Sequence, residues 1–391
     1  MKMINHCPIC AAQVIWDGAE CNVRYLDARG RVRHRPGPDA TPQERHEFAV
    51  QACHEYCPNL HPLPSMPVVS MGVFGFTRSG KGALVRALAR QVIKQPLADG
   101  FSIEPAGRSK PLLRRRYGDD LQQTPLPPEG DHPASLFFDV WREERRLGEF
   151  LVYDTAGEAQ QVLFTEDADS ATSQYRQRYP FVPFLDAIII AVAPGCLTGF
   201  EEYDAHIDQE KFGGANQLSE TLDIVDTIRD FYEEFPYVEF KDRTIFVVLT
   251  KCDRYEREPS FPPELLLSRA ERQYSPVARA AKGRGLDASA VRIDEWIGQI
   301  EEEGQVVRQF VLSHGGQALV NRVESLGETY YVALSGAGND TDTSAERPQS
   351  KLHPPARVGA PDRALDPFVA LLFQEGLDEP ADRPDQDASR G

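Results

Sequence analysis

The chain has 391 residues, 41% of them hydrophobic, which is enough for a buried core and for two or three domains. Its formal net charge of −17 argues against broad binding to nucleic acids or anionic membranes, because both require a positive surface. No apolar run approaches the roughly 18 residues needed to cross a bilayer, and the N-terminus lacks the apolar stretch of a signal peptide, so we expect a cytoplasmic protein.

Residues 1–66 are predicted to form a small module built around cysteines. In a reducing compartment, the seven cysteines of the chain favour metal binding over disulfides. The candidate ligands of one tetrahedral Zn²⁺ are the four cysteines of two close pairs: Cys7, Cys10, Cys53 and Cys57. The second pair has the less regular spacing, so His54 or His61 is an alternative ligand. Cys21 is a further candidate, although a single cysteine is more often a core residue.

The residues between the two cysteine pairs alternate as a hairpin, with Val23 and Tyr25 before the turn and Val32 after it. Four arginines fall on one face of the predicted strand: Arg29, Arg31, Arg33 and Arg35. Such a run is most often a solvated strand face. The alternative is a zinc-dependent nucleic-acid binder, which the overall negative charge disfavours. Pro62–Pro67 is expected to form a stiff linker.

A buried strand, a glycine loop and a helix follow. Val68–Phe74 is the strand, and Gly75–Lys81 matches the phosphate-binding pattern G-x-x-x-x-G-K-[ST]. In such a loop the glycines allow a tight turn, the helix N-terminus favours phosphate, and Lys81 reaches the β- and γ-phosphates. The predicted nucleotide contacts here are Gly75, Arg78, Ser79, Gly80, Lys81, Gly82 and Ala83. Gly82 replaces the usual Ser or Thr, so it offers Mg²⁺ no hydroxyl.

Residues 97–134 show no long periodic pattern, whereas two strands joined by a charged turn follow them. Ser135–Trp141 and Glu149–Asp154 are close enough in sequence to form an antiparallel hairpin. The second strand ends in the sequence Asp-Thr-Ala-Gly. At the end of a strand downstream of a glycine loop, this pattern predicts that Asp154 holds Mg²⁺ through water and that the Gly157 N–H binds the γ-phosphate.

Two further strands are predicted, with a helix between them. Leu185–Pro194 is a continuous aliphatic run, which is typical of a buried parallel strand, and 216–234 has the spacing of an amphipathic helix. Thr244–Thr250 is the next strand, and it runs into Thr250-Lys251-Cys252-Asp253. The Asp253 carboxylate can accept two hydrogen bonds from N1 and N2 of guanine, a donor pair that adenine lacks. The stem of Lys251 is expected to pack on the base.

The remaining part of the chain is predicted to be mainly helical. The expected elements are helices over Pro262–Gln273, Ala290–Gly304 and Gln305–Leu326 and a strand over Glu328–Gly338. Small residues at the end of that strand, Ser335, Gly336 and Ala337, allow a backbone N–H to reach guanine O6. A polar loop over 339–362, a short apolar helix over Asp366–Gly376 and a disordered acidic tail complete the chain.

These elements predict an α/β fold of three layers with a mixed, mostly parallel sheet. The expected boundaries are 1–66 for a zinc-ribbon-like module, 67–338 for the nucleotide-binding domain and 339–391 for the loop, helix and tail. Four motifs carry a resemblance: Gly75–Lys81, Asp154–Gly157, Thr250–Asp253 and Ser335–Ala337. With the hairpin, they resemble Ras-like P-loop GTPases of the translation-factor-related (TRAFAC) class. The cysteine module and the late apolar helix resemble bacterial double-GTPase proteins, which are thought to serve in conflict or signalling systems.

The resemblance implies a guanine-nucleotide switch that binds GTP or GDP with Mg²⁺, beside a Zn²⁺-binding module. The implied catalytic residues are Lys81, Thr124, Asp154, Gly157 and Glu158. Thr124 is the candidate for the first switch threonine, and Ser135 is the alternative. Thr250, Lys251 and Asp253 are the implied base-binding residues.

Three positions depart from the family pattern, namely Gly82, Thr250 where Asn is commonest, and Glu158 where a water-orienting Gln is usual. A carboxylate beside the γ-phosphate is repelled by it, so we expect slow GTP hydrolysis that a protein partner at the switch regions completes. Arg114–Arg116 is expected to be a partner surface, or alternatively an arginine finger in cis. The alternative function is a pseudo-GTPase that acts as a scaffold.

Overall fold

The computed structural model describes residues 5–7, 10, 12–15, 21–26, 31–34, 36, 39–50, 54–61, 63–64, 68–76, 79–94, 100–107, 109–117, 134–155, 179–200, 217–233, 243–255, 258–262, 265, 292–334 and 363–374. These parts of the chain form a small sheet near the N-terminus and a larger sheet with helices on both of its faces. None of the helices in these ranges combines the length and the apolar character that a membrane span requires.

The cysteine module, by which we mean the described residues from Asn5 to Pro64, contains three short strands and one helix. The strands are β1 (Arg24–Leu26), β2 (Val32–Arg33) and β3 (His54–Tyr56), and the helix is α1 (Pro42–Val50). The strands pair antiparallel in the order β2-β1-β3. Tyr25 of β1 packs edge-on against Phe48 of α1, with ring centroids 5.3 Å apart. The predicted hairpin is confirmed, whereas α1 and β3 had no sequence prediction.

The larger sheet has seven strands among the described residues. They are β4 (Val68–Phe74), β5 (Phe101–Pro105), β6 (Ala134–Arg142), β7 (Arg145–Asp154), β8 (Ala187–Val192), β9 (Thr244–Leu249) and β10 (Glu328–Ala333). Their order across the sheet is β10-β9-β8-β4-β7-β6-β5. The five strands from β10 to β7 are parallel to their neighbours, while β6 and β5 pair antiparallel. The predicted α/β fold with a mixed, mostly parallel sheet is confirmed.

Six further helices cover the two faces of this sheet in the described ranges. They are α2 (Lys81–Lys94), α3 (Lys110–Tyr117), α4 (Gln217–Glu233), α5 (Ile293–Ser313), α6 (Gln317–Leu326) and α7 (Asp366–Gln374). The core on one face joins residues of α2, α7 and the first half of α5. The core on the other face joins residues of α4, α6 and the second half of α5. Every residue of β4, β8 and β9 is buried, as expected for central strands covered on both faces.

One helix boundary in the sequence prediction is wrong. A single helix, α5, runs through Gly304 to Ser313, where we predicted two helices meeting at residues 304 and 305. Glycine is a common helix terminator, but here it serves close packing. A Cβ on Gly304 would lie 2.9 Å from the Tyr331 carbonyl oxygen of β10, so the helix can approach the edge strand only with glycine at this position.

Residues 97–134 show no long periodic pattern in the sequence, but their described part contains a strand, β5, and a helix, α3. β5 extends the sheet beyond β6, and α3 follows it directly. Ser109 connects α3 to the sheet, because its Oγ accepts a hydrogen bond of 2.7 Å from the Phe137 N–H of β6. Both elements are short, which explains why periodicity did not identify them.

α7 packs against the sheet, as the sequence predicts for the apolar helix after residue 365. Phe368 contacts Phe138 and Phe150, with ring centroids 5.7 and 4.7 Å away. The buried carboxylate of Asp366 accepts hydrogen bonds from Trp296 Nε1 at 3.0 Å and from Arg363 Nε at 2.9 Å. This helix therefore completes the core on the α2 side of the sheet.

Candidate functional site

The carboxyl ends of three parallel strands meet at one edge of the larger sheet. β4 ends at Phe74, β7 at Asp154 and β9 at Leu249. The register pairs Val73 of β4 with Asp154 of β7. In open α/β sheets, ligands bind outside this edge of the strands. Three of the four predicted motifs have described residues here, so the structure brings them to one place.

The loop after β4 requires glycine at two positions. Gly75 has φ 146° and Gly80 has φ 93°, values that residues with a Cβ rarely adopt. A Cβ on Gly75 would also lie 2.6 Å from Ser79 Oγ. A Cβ on Gly80 would lie 2.9 Å from Thr250 Oγ1. Both glycines of the phosphate-binding pattern are therefore fixed by backbone conformation and close packing.

Lys81 is the first residue of α2, and its side chain turns back into the loop. The ammonium donates hydrogen bonds to the Gly75 carbonyl and, at 2.8 Å, to the Phe76 carbonyl. Burial lowers the pKa of Lys81 to about 7, and the negative charge of Asp154 opposes this shift. Only 6% of the residue is exposed. The amine therefore lies inside the glycine loop and within electrostatic range of the carboxylate that ends β7.

Asp154 and Thr155 connect the end of β7 to the strand that leads into the loop. Thr155 Oγ1 donates a hydrogen bond to the Val73 carbonyl of β4. Both residues are buried. A buried carboxylate needs a positive or hydrogen-bonding partner, and the buried Lys81 amine nearby supplies a positive charge. The site thus combines the buried Lys81 amine, at the start of α2, with the buried Asp154 carboxylate, at the end of β7.

The segment after β9 is joined directly to the glycine loop. Thr250 Oγ1 donates a hydrogen bond to the Ser79 carbonyl of the loop and lies 3.2 Å from the Val192 carbonyl of β8. The Thr250 N–H donates to the same Val192 carbonyl at 2.8 Å. Lys251 follows with φ 56°, which turns the chain sharply as it leaves the strand. Thr250 therefore fixes the position of this segment relative to the loop.

One polar atom of the loop, Ser79 Oγ, is buried and has no hydrogen-bond partner in the described part of the chain. Ser79 itself is fully buried. A buried hydroxyl without a partner is costly. The Ser79 hydroxyl is therefore available to form a hydrogen bond with a bound ligand. The sequence pattern predicts a serine contact here but does not show that its hydroxyl has no other partner.

Several predicted site residues lie outside the described residues: Cys53, Arg78, Thr124, Gly157, Glu158, Ser335, Gly336 and Ala337. Asp253 belongs to a short 3₁₀ helix over Cys252–Tyr255, of which its backbone alone is described. Gly82 and Ala83 are partly buried in the first turn of α2. The alternative switch residue Ser135 lies within β6, paired with Tyr153. Their predicted roles remain predictions.

The cysteine module contains a second cluster of reactive side chains. Cys7, Cys10, Cys57 and His61 bring three sulfurs and one imidazole nitrogen within 4.8 Å of one another, so the group can hold a metal ion. Cys10 Sγ lies 3.8 Å from Cys57 Sγ, which lies 3.7 Å from His61 Nδ1. Cys21 is outside this group, although it packs against the same small core. His61, which the sequence offered only as an alternative, is a member.

The local environment favours the thiolate form of Cys10. Burial alone would raise the pKa of this thiol, but hydrogen bonds from the Ala12 backbone, from the Asn59 side chain and from its neighbours in the cluster lower the pKa to about 7. The Asn59 amide donates to Cys10 Sγ at 3.3 Å. Metals bind the thiolate rather than the thiol, so this environment suits a ligand.

The cysteine module contacts the 3₁₀ turn Val182–Phe184, which precedes β8, next to its metal-ligand candidates. His6, adjacent to Cys7, stacks on Phe184 with ring centroids 3.8 Å apart and an interplanar angle of 13°. Burial, together with the negative charges of Cys7 and Asp186, raises the pKa of Tyr153 well above its usual range. Tyr153 belongs to β7, so Cys7 lies within electrostatic range of this strand.

Comparison of the sequence with protein-family models and with curated proteins finds no match. Among solved structures, the chain is similar to the signal recognition particle receptor SRb-GTP/SRX complex from Chaetomium thermophilum, with 16% sequence identity and a TM-score of 0.30. The alignment covers 69% of this chain and 91% of that chain. A likeness at this TM-score carries no argument, so the functional assignment depends on the residues of the site.

Proposed function

We propose that this chain is a guanine-nucleotide-binding switch protein of the Ras-like P-loop GTPase type. Three features support the proposal: a glycine loop between a buried strand and a helix, a buried lysine inside that loop, and a buried aspartate at the end of the adjacent parallel strand. A sheet with one antiparallel hairpin beside the loop strand is also what the resemblance to the translation-factor-related class implies.

The observation that carries the proposal is the hydrogen bond from Thr250 to the Ser79 carbonyl. It joins the segment that would read the base to the loop that would hold the phosphates. These segments are 171 residues apart in sequence, and the order of strands in the sheet brings them together. A single ligand with a base at one end and phosphates at the other can then contact both segments.

Each residue has a chemical role in this proposal. The Lys81 ammonium exchanges the two loop carbonyls for β- and γ-phosphate oxygens, and the Ser79 hydroxyl is available to the same phosphates. Asp253 accepts the N1 and N2 hydrogens of guanine, and the Lys251 stem packs on the base. The Thr124 hydroxyl and the N–H groups of Gly157 and the segment Ser335–Ala337 supply the remaining contacts.

Mg²⁺ fits this site through one carboxylate. Asp154 is buried next to the loop, whereas Gly82 offers no hydroxyl at the position where the pattern has Ser or Thr. Bound Mg²⁺ would neutralise the charge that develops on the phosphates. Asp154 would orient water around it, and the lysine and the loop N–H groups would hold the phosphate oxygens in line for attack by water.

The proposed hydrolysis of GTP to GDP and phosphate is slow in the isolated chain. Glu158 supplies a negatively charged carboxylate at the position where a neutral amide would orient the attacking water. The γ-phosphate is also negative, so it repels this carboxylate. We propose that a protein partner at 108–130 and 155–180 completes the site in a cytoplasmic signalling or conflict system. The second candidate is a pseudo-GTPase scaffold, which Gly82 favours because that residue removes a metal ligand.

The decisive experiment is a titration of the purified full chain with fluorescent GTP, ATP and xanthosine triphosphate analogues, with and without Mg²⁺. The wild type should bind GTP and ignore ATP. In the Asp253→Asn variant, loss of two charge-assisted hydrogen bonds should weaken GTP binding by at least about 100-fold. The same variant should gain affinity for xanthosine triphosphate, because the asparagine amide can donate to the xanthine oxygen that replaces the guanine amino group.

The matched control is Asp230→Asn on the exposed surface of α4, which should bind like the wild type. Thr250→Val should weaken GTP binding, because it removes the hydroxyl that joins the two halves of the site. Binding of ATP as tightly as GTP would contradict guanine selectivity. Absence of binding to all three nucleotides would refute the switch and place the protein in the scaffold class.

A further inference from the structure

The cysteine module offers a closed set of metal ligands that is independent of the nucleotide site. We propose that Cys7, Cys10, Cys57 and His61 bind one structural Zn²⁺ ion with three thiolates and one imidazole. This ligand set differs from the four cysteines predicted from the sequence, since His61 takes the fourth position in place of Cys53, which lies outside the described residues.

The distances within the cluster fit zinc. Tetrahedral Zn–S bonds of about 2.3 Å place two sulfurs about 3.8 Å apart, and a Zn–N bond of about 2.0 Å places sulfur and nitrogen about 3.5 Å apart. The observed separations are 3.8 Å between Cys10 Sγ and Cys57 Sγ and 3.7 Å between Cys57 Sγ and His61 Nδ1. A disulfide would require its sulfurs about 2.05 Å apart. The side chains are therefore spaced for a shared ion.

Two turns of the backbone direct these ligands inward. In the first, the Cys7 N–H donates to the Ala12 carbonyl at 2.8 Å, and Cys7 and Cys10 both join the cluster. In the second, the Cys57 N–H donates to the His61 carbonyl at 2.9 Å, and Leu60 has φ 62°. The second metal-binding turn thus spans Cys57 to His61.

The spacing from Cys53 to Cys57 does not make a turn of this kind. The residues between these two cysteines, His54–Tyr56, form strand β3. An extended strand separates residues by about 3.3 Å each, whereas a metal-binding pair needs a chain reversal. Under this proposal Cys57 pairs with His61, which follows it in the chain, instead of with Cys53, which lies outside the described residues.

Hydrogen bonds around the cluster support thiolate ligands. The Asn59 amide donates to Cys10 Sγ at 3.3 Å, and the His61 N–H donates to Cys57 Sγ at 3.4 Å. Such outer contacts orient ligands and stabilise their charge. Cys7 and Cys57 are almost completely buried, so the set has the enclosed character of a structural zinc site rather than a catalytic site with an open position.

Zinc would provide stability that the module's own core does not supply. That core has six buried hydrophobic residues in the described ranges: Cys7, Val14, Val23, Tyr25, Cys57 and Leu63. Two of the six are ligands. Cores of this size are normally reinforced by a metal or by disulfides, and for a site that forms only on folding, the metal-binding energy contributes to folding. Zinc would therefore keep His6 in its stacked position on Phe184.

The test is a measurement of zinc content and coordination in the full chain, purified without a metal-affinity tag. The wild type should contain one zinc ion per chain, and X-ray absorption should show three sulfurs at about 2.3 Å and one nitrogen at about 2.0 Å. Cys53→Ser and the control Cys21→Ser should keep this ion. His61→Ala should weaken zinc binding by at least about 100-fold in competition with a chelator, since even outer contacts contribute 10- to 100-fold.

His61→Cys keeps the proposal testable if His61→Ala fails to fold. This variant should retain one zinc ion, and its absorption spectrum should change to four sulfurs. A four-sulfur shell in the wild type, or loss of zinc from Cys53→Ser with retention in His61→Ala, would overturn the ligand set. A chain that takes up no zinc, or a Cys10–Cys57 disulfide detected by mass spectrometry of the alkylated protein, would overturn the site. None of these results depends on nucleotide binding.

Discussion

Replacing Lys81 by methionine should remove a pH dependence from the stability of the nucleotide-free protein. Burial lowers the pKa of Lys81 to about 7 in the folded state, whereas a lysine in an unfolded chain titrates near about 10.4. Between these two values the unfolded chain binds one proton more than the folded protein, so the free energy of unfolding rises with pH. The cost of burying the charge is fully present below pH 7 and is relieved as the folded amine deprotonates.

One proton corresponds to a slope of about 1.4 kcal/mol per pH unit. The difference between the wild type and Lys81→Met should therefore have this slope at pH 8 to 9, where other titrating groups contribute equally to both proteins and cancel. Lys81 is buried, so solvent screening reduces the effect little.

The assay is urea unfolding at several pH values, followed by the fluorescence of tryptophans that include the buried Trp296. Lys110→Met is the matched control, because Lys110 is the exposed first residue of α3, and it should keep the wild-type slope. Equal slopes for the wild type and Lys81→Met would refute the reasoning, since they would show that the lysine remains protonated within the loop.

Two further substitutions test the packing of the helices against the sheet, each with a control on the same helix. Phe368→Ala should lower the free energy of unfolding by about 3–5 kcal/mol. Phe373 is 37% exposed, so Phe373→Ala should change this free energy by less than about 1 kcal/mol. Similar losses for the two variants, measured by urea unfolding, would contradict the packing of α7. Gly298→Ala meets no atom within 4 Å and should stabilise α5 by about 0.5–1 kcal/mol. Gly304→Ala should instead destabilise the protein, because a Cβ at this position would collide with the backbone of β10. A rise in the thermal midpoint of unfolding for both variants would contradict the close approach of α5 to β10.

The local part of the nucleotide site could be predicted from the sequence. β4, the glycine loop and the start of α2 follow one another in the chain, so composition and spacing were sufficient to place them. The strands before Asp154 and Thr250 are long apolar runs, and burial on both faces of a parallel sheet produces that pattern. The sequence also predicted that each of these two residues stands where a buried strand ends.

Contacts between distant segments could not be predicted in the same way. The hydrogen bond from the Thr250 hydroxyl to the loop depends on the order of strands in the sheet, which the sequence does not reveal. Gly304 was read as a helix end, because only the position of β10 shows that a Cβ has no room there.

The metal-ligand candidates show a different limit of sequence spacing. Cysteine pairs are conspicuous, so Cys53, which lies outside the described residues, was predicted as the partner of Cys57, with His54 or His61 as the alternative. The residues after Cys57, Pro58-Asn59-Leu60, form a tight turn that ends at His61. Proline and asparagine are turn residues, and this signal was present in the sequence beside the histidine.

The position of α7 has a consequence for the order in which the protein is assembled. The Thr244 hydroxyl donates a hydrogen bond to the Gln374 amide oxygen, 130 residues later in the chain. Phe368 packs against strands of the hairpin, which are synthesised still earlier. During synthesis from the N-terminus, Phe138 of β6 and Phe150 of β7 therefore lack their ring partner Phe368 until α7 has been made. A growing chain exposes such surface to aggregation, so maturation of the nucleotide site depends on a segment that contributes nothing to it directly.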